Sequence, residues 1–238
     1  MKNTAVVVMA RSPYSKQSPK TRLTPEITSE ADRRHLYTAF LRDVLHSARQ
    51  LEGVALRVAY TQDGGPAGFE ELGLVSKELL PQKGQTLGER EQGVFTDLFM
   101  EGFSKVLMIG SDIPTLPTEH LALAIELLAE QTVVIGPSRD GGYYLIGLVK
   151  PTRGPTPDLF TKIRWSTQFA FSDTVTAARQ ARIRVALVPP WYDVDNKDGL
   201  TTLIRELANA NHKAPNTSLA LTKIFKNGYQ EQRDTSKR

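Results

Sequence analysis

An apolar run that ends on a single acid constrains this chain most: Val106-Leu107-Met108-Ile109-Gly110-Ser111-Asp112, followed by Ile113-Pro114. Apolar residues without alternation predict a strand buried on both faces, as in a parallel sheet with helices on either side. Asp112 then sits at the carboxyl end of that strand, where open α/β sheets bind ligands. Pro114 cannot continue the ladder, so the chain turns there and leaves the carboxylate at the rim. A carboxylate in that place suits a hard divalent cation bridging to phosphate oxygens. The plainer role is to cap the helix that begins near Thr118. Thr118, with a Pro before it and Glu119 after it, starts that helix unaided, which favours the functional role.

The rest of the sequence repeats the strand-then-helix rhythm. Thr4–Ala10 and Val54–Thr61 read as strands, as do a segment around Leu74–Leu80 and the short Thr132–Ile135, Tyr143–Val149 and Ile183–Val188. Between them lie helical patterns: one with Leu36, Phe40, Leu41, Val44 and Leu45 on one face, a short one near Phe69–Leu72, then Thr86–Phe103, Thr118–Gln131, Thr167–Ala181 and Lys197–Ala208. Strands alternating with helices imply βαβ units and a mostly parallel central sheet with helices on both faces. One α/β domain over 1–210 accounts for the 238 residues, followed by a basic polar segment, 211–238, in which Leu219–Phe225 can make one short docking helix.

Composition removes several classes. There are no cysteines, which excludes disulfides, zinc-thiolate sites, iron–sulfur clusters and cysteine nucleophiles. The net charge of +4 is carried by 211–238, so 1–210 is neutral and lacks the basic stripe that a nucleic-acid partner requires. The chain enters a strand almost at once, and no apolar run approaches the roughly 18 residues of a membrane span, so a soluble cytoplasmic protein is expected. The four histidines (His35, His46, His120, His212) fall on helical patterns or the C-terminal segment, which leaves a Ser-His-Asp hydrolase without a base. Neither a Walker loop nor a dinucleotide fingerprint is present, against a P-loop kinase or a dehydrogenase.

Chemistry concentrates at the strand ends. The loop after the first strand carries Arg11, Lys16, Lys20 and Arg22, four cations in twelve residues on the same rim as Asp112. Cations there neutralise a polyphosphate, although a basic surface loop reads the same way. Pro81–Arg90 puts two glycines and a Gln before a helix; its backbone can read a base or ribose edge, or simply start the helix. Asp140-Gly141-Gly142-Tyr143-Tyr144 sets an acid and aromatic faces beside a backbone that can approach a sugar, and it is equally a hairpin turn. Trp165-Ser166-Thr167 reads as a helix start. Asp193-Val194-Asp195-Asn196 places two acids before the last helix, with Asp195 or Asn196 as its N-cap and a metal-ligand role compatible with that.

Together these blocks resemble a bacterial glycosyltransferase-like family in the nucleotide-diphospho-sugar transferase superfamily, which has the GT-A fold. They are Ala10-Arg11…Lys20-Thr21-Arg22-Leu23…Pro25, Gly110–Pro114, Asp140–Gly147, Trp165-Ser166-Thr167 and Asp193-Val194-Asp195, and they span about residues 4–208. The chain is similar, more distantly, to the molybdenum-cofactor and phospholactate guanylyltransferases. The resemblance implies that Arg11, Lys20, Arg22 and Ser111 serve the nucleotide phosphates, and that Asp112 with Asp195 holds Mg²⁺ or Mn²⁺. It further implies that Asp140 acts on the acceptor hydroxyl and that Gly141, Gly142, Tyr143 and Trp165 face the substrate. Two departures stand out. The family's first loop usually has a glycine before Lys-Thr-Arg-Leu, whereas Tyr14–Pro19 has none, so side chains carry more of the phosphate grip. Residue 111 is Ser, so a full DxD is absent and metal binding rests mainly on Asp112.

The expected activity is metal-dependent glycosyl transfer from a nucleotide-diphospho-sugar to a small-molecule acceptor. Its rivals are nucleotidyl transfer, joining an NTP to a phosphorylated acceptor with release of pyrophosphate, and non-catalytic nucleotide-sugar binding.

Overall fold

The structure is a computed structural model describing residues 3–208 and 214–235, with side chains to residue 226. Its elements in order are β1 (Thr4–Ala10), α1 (Glu30–Arg49), β2 (Val54–Tyr60), α2 (Ala67–Glu70), β3 (Leu79–Pro81), α3 (Leu87–Met100) and β4 (Lys105–Gly110). The second half holds α4 (Thr118–Leu127), β5 (Thr132–Pro137), β6 (Tyr143–Val149), α5 (Ala170–Gln180), β7 (Arg184–Leu187), α6 (Lys197–Leu207) and α7 (Pro215–Thr235).

The strands form one sheet in the order β3-β2-β1-β4-β6-β5-β7. Among the described strands β6 alone runs against the others, pairing antiparallel with both β4 and β5. The expected α/β architecture, a mostly parallel sheet with helices on both faces, is the one observed. Burial on both faces follows from the apolar runs. Val6 and Val8 of β1, with Leu107 and Ile109 of β4, face a core layer shared with Tyr37, Leu41 and Val44 of α1 and Leu121 of α4. Their neighbours Ala5, Val7, Val106 and Met108 face the opposite layer, built with Val94, Phe95 and Leu98 of α3.

Several boundaries move for local reasons. The third strand, expected around Leu74–Leu80, is only Leu79–Pro81, because Ser76–Glu78 takes a 3₁₀ turn. Helix α5 starts at Ala170 instead of Thr167, since Ser166 is left-handed and the Thr167 hydroxyl accepts the Phe169 N–H. Helix α3 has a full capping box: Thr86 accepts the Glu89 N–H, and the Glu89 carboxylate accepts the Thr86 N–H. Asn196 caps α6 by accepting the Gly199 N–H.

The C-terminal segment differs from a solvated tail with one short helix. Helix α7 runs from Pro215 to Thr235, and Ala220, Leu221 and Ile224 are buried in a third apolar cluster with Leu36 and Phe40 of α1 and Leu200 and Leu203 of α6. Its first turn is held by Asp43 of α1, fully buried, which accepts the Asn216 and Thr217 backbone N–H groups and the Asn216 amide. The remainder of the expected tail, 211–213 and 236–238, lies outside the described residues, as do 209–210 at the end of the expected domain. Among the described residues no helix is long and apolar enough to cross a membrane.

Candidate active site

Because β1, β2, β3 and β4 are parallel, their carboxyl ends share one rim. There Arg11, Thr61, Gln82 and Asp112 come together around a cavity of about 740 Å³. Its cations are Arg11, Lys20, Arg22 and Arg90. A further cavity of about 420 Å³ shares Arg11, Thr61, Gln82 and Arg90 and continues toward Gln62 and Asp63. The larger cavity alone has room for a nucleotide-sized ligand, since small-molecule sites run to roughly 300–1,000 Å³.

The first loop is folded onto this rim. Tyr37 of α1 clamps it, its hydroxyl donating to the Arg11 carbonyl and accepting the Arg11 N–H. Lys20 follows in the left-handed region (φ 57°, ψ 36°), a conformation that costs a non-glycine residue of order 1 kcal/mol. The bend drives its side chain inward until only 3% of it is exposed. The Lys20 Nζ then lies 2.7 Å from Asp112 Oδ2 and 2.7 Å from Asp195 Oδ1. Burial alone lowers an ammonium pKa; here the two carboxylates outweigh it, and Lys20 is held above its ordinary value. Burial also works against the Asp195 carboxylate, but Lys20 and Arg22 bring its pKa below the usual range. Asp112 is fixed further by the Ser111 hydroxyl at 3.3 Å, and the Val194 N–H donates to the Asp112 carbonyl. One ammonium thus ties together the first loop, the end of β4 and the segment before α6.

These carboxylates are the residues available for a divalent ion. Among the described residues no group of three or more His, Asp or Glu side chains is arranged to hold a metal. Two hard oxygen ligands converging on one point do suit Mg²⁺ or Mn²⁺ when substrate phosphates complete the shell, and Asp112 and Asp195 remain about one-third exposed toward the cleft. The donor set fits such an ion in company with phosphate, while Lys20 supplies the counter-charge at the point where the two acids meet.

On the other side of Asp112 lies a smaller cavity of about 140 Å³, lined by Ser138, Asp140, Gly142, Tyr143 and Asp193. Among the described residues neither Lys nor Arg lines it. Burial, with Asp195 and Asp140 adding, raises the Asp193 pKa to about 6. The Ser138–Gly142 turn joins β5 to β6, and the Gly142 N–H donates to Asp140 Oδ1 at 2.9 Å, which aims the acid. Gly141 permits the turn: its φ is +91°, and a Cβ there would meet the Gln168 carbonyl oxygen at 2.3 Å. Tyr143 forms one wall, but its hydroxyl is turned inward and donates to Glu91 at 2.6 Å. Glu91 is buried, and that burial raises its pKa to about 7 against the opposing effect of the Tyr143 bond.

A sequence model for the family described as "Uncharacterized protein conserved in bacteria (DUF2064)" matches residues 44–167. The chain belongs to this family. It is 31% identical to the crystal structure of a "putative nucleotide-diphospho-sugar transferase" from Desulfovibrio desulfuricans G20, with a TM-score of 0.84 over 94% of this chain and 95% of that one. The resemblance carried by the sequence blocks is therefore met along the whole fold. A 2-phospho-L-lactate guanylyltransferase of Methanocaldococcus vulcanius is 30% identical over 148 residues, and the chain spans about 60% of that relative's length. A cytidylyltransferase from Leptospira borgpetersenii superposes with a TM-score of 0.51 at 14% identity over 96% of each chain, a likeness of fold alone.

Within this DUF2064 chain the expected residues separate into two groups around Asp112. Arg11, Lys20, Arg22, Ser111 and Asp195 gather on the large cleft, while Asp140, Gly142 and Tyr143 gather on the small cavity. Gly141 shapes the turn from behind. Trp165 lines neither; it packs edge-on against Tyr143 at 6.0 Å and leans on the core layer below α3. In this position it supports the Tyr143 wall. The sequence gives no sign of Tyr37 or Glu91 at the site, whereas Gln82 and Arg90 lie in the Pro81–Arg90 segment, whose backbone alone is assigned a ligand-reading role.

Proposed function

We propose that this protein transfers a glycosyl group from a nucleotide-diphospho-sugar, held with its phosphates in the cationic cleft, to an acceptor hydroxyl in the acid-lined cavity. The observation that carries this reading is the meeting of the two spaces at Asp112, with cations on one side and carboxylates alone on the other. Arg11, Arg22, Arg90 and Lys20 supply the charge that holds a diphosphate and stabilises it as it departs. Mg²⁺ or Mn²⁺, carried on Asp112 and Asp195, would neutralise the phosphate oxygens. Asp140 takes the proton of the acceptor hydroxyl as its oxygen bonds to the anomeric carbon. The carbon–oxygen bond to phosphate breaks with its electron pair, and the nucleoside diphosphate leaves. A wall without cations does not suit the phosphorylated acceptor of a nucleotidyl transfer.

The second reading is nucleotidyl transfer, favoured by the 30% identity to a guanylyltransferase. Product analysis separates the two. Incubation with a panel of nucleotide-sugars and NTPs, with acceptors bearing free hydroxyls, is expected to release nucleoside diphosphate. Pyrophosphate release from an NTP would replace the first reading with the second.

A further inference from the structure

Helix α3 reaches both of the spaces that meet at Asp112. Leu87 and Arg90, in its first turn, line the large cleft. Glu91, the next residue, is 6% exposed and accepts the Tyr143 hydroxyl at 2.6 Å, and Tyr143 lines the small cavity. Gly88 seats the helix against the segment behind that wall. A Cβ there would meet the Phe160 carbonyl oxygen at 2.5 Å and Trp165 Nε1 at 2.9 Å. Trp165 in turn packs edge-on against Tyr143, with 6.0 Å between ring centroids. The Tyr143 ring is thus tied at its hydroxyl to α3 and backed by a tryptophan that α3 also touches.

An apolar side chain at position 91 would join the layer of Val94, Phe95 and Phe160 at less cost to the fold. The acid is expensive there, since burial raises its pKa to about 7, and the Tyr143 bond is what opposes that shift. A perturbed acid beside a cavity is a candidate for work at the site. Resting on the reading that the small cavity takes the acceptor, we infer that Glu91 is a positioning residue, which holds the Tyr143 hydroxyl from behind and so keeps the ring at the wall and the cavity open to the acceptor. Released, the ring is free to turn into a space of about 140 Å³ whose Asp140 and Asp193 carboxylates would accept its hydroxyl in place of the acceptor's. The cations that face the donor phosphates are untouched by that change.

The test is the kinetics of the full chain and three variants, each shown to be folded by circular dichroism. Glu91→Leu removes the acceptor of the Tyr143 bond, Glu91→Asp keeps the charge but falls short of the hydroxyl, and Glu91→Gln keeps an oxygen in reach. Release of nucleoside diphosphate is followed with UDP-glucose, GDP-mannose and dTDP-glucose, each with Mn²⁺ and with glucose, glucosamine or glycerol as acceptor. Glu91→Leu and Glu91→Asp are expected to raise the acceptor KM about tenfold or more, with donor KM and kcat within about threefold of wild type. Glu91→Gln is expected to stay within about threefold in all three constants; either of the other variants carries the comparison if one does not fold. Donor and acceptor KM that change together, or an acceptor KM that does not change, would overturn the inference. Release from none of the pairs would overturn the proposed function, and the inference is then decided without turnover. In a Trp191→Phe background, where Trp165 is the one remaining tryptophan, acrylamide quenching is expected to rise about twofold or more in Glu91→Leu and not in Glu91→Gln. Equal quenching in all of them would overturn the inference.

Discussion

The Lys20 ammonium stands 2.7 Å from Asp112, and the same distance separates it from Asp195, so one buried cation compensates two acids that sequence logic assigns to a metal. Removing it changes two quantities in opposite directions. Lys20→Met is expected to weaken nucleotide binding about tenfold or more, since a cation facing phosphate is lost. In the absence of nucleotide, the same variant is expected to bind Mn²⁺ more tightly than the wild type, because the repelling ammonium is gone. Manganese electron paramagnetic resonance reads the free ion directly. Equal Mn²⁺ binding by the two proteins would contradict the placement of Lys20 between the acids.

Glu91 makes stability depend on pH with a definite sign. Its folded pKa, about 7, lies above that of an unfolded glutamate, so the folded state holds its proton longer. The associated stability is fully present below about pH 4.5 and is lost as pH rises to about 7, amounting to at most about 3 kcal/mol. Glu91→Gln imitates the protonated acid and keeps an acceptor for Tyr143. Urea unfolding is expected to find the two proteins alike near pH 4.5 and the variant the more stable at pH 8. A constant difference across that range would show that Glu91 does not titrate between those limits.

The docking of α7 rests on Asp43, which accepts three hydrogen bonds from the first turn of that helix. Asp43→Ala leaves those donors unpaired and is expected to cost about 2–3 kcal/mol in chemical denaturation. Hydrogen exchange over residues 215–226 is expected to accelerate, while β1 and β4 stay protected. Unchanged exchange in that helix would remove Asp43 as its anchor.

The sheet was readable in the sequence where burial on both faces left an apolar run: β1 and β6 fall on Thr4–Ala10 and Tyr143–Val149 as expected. The same runs hide strand direction, so the reversal of β6 carried no mark. Helix α7 was under-read because its anchor, Asp43, lies far away in the sequence on another helix. At the site, the residue types were visible but their pairing was not. Lys20 was read toward phosphate and Asp112 and Asp195 toward metal, and only the folded loop brings the three to one point. Gln82 lies in the Pro81–Arg90 segment, whose backbone alone had a ligand role in the sequence, and nothing there shows that both of its amide hydrogens are taken by strand-end carbonyls.

The central claim is most directly tested by thermal-shift titration of wild type and Asp112→Asn with nucleotide-sugars, each with and without Mn²⁺. A ligand at 100 times its Kd adds about 2.7 kcal/mol to the folded state. The account predicts that at least one nucleotide-sugar stabilises the wild type, more strongly with Mn²⁺, and that Asp112→Asn loses the Mn²⁺-dependent part. Stabilisation that is identical in Asp112→Asn, or that is absent with every nucleotide-sugar, would contradict it.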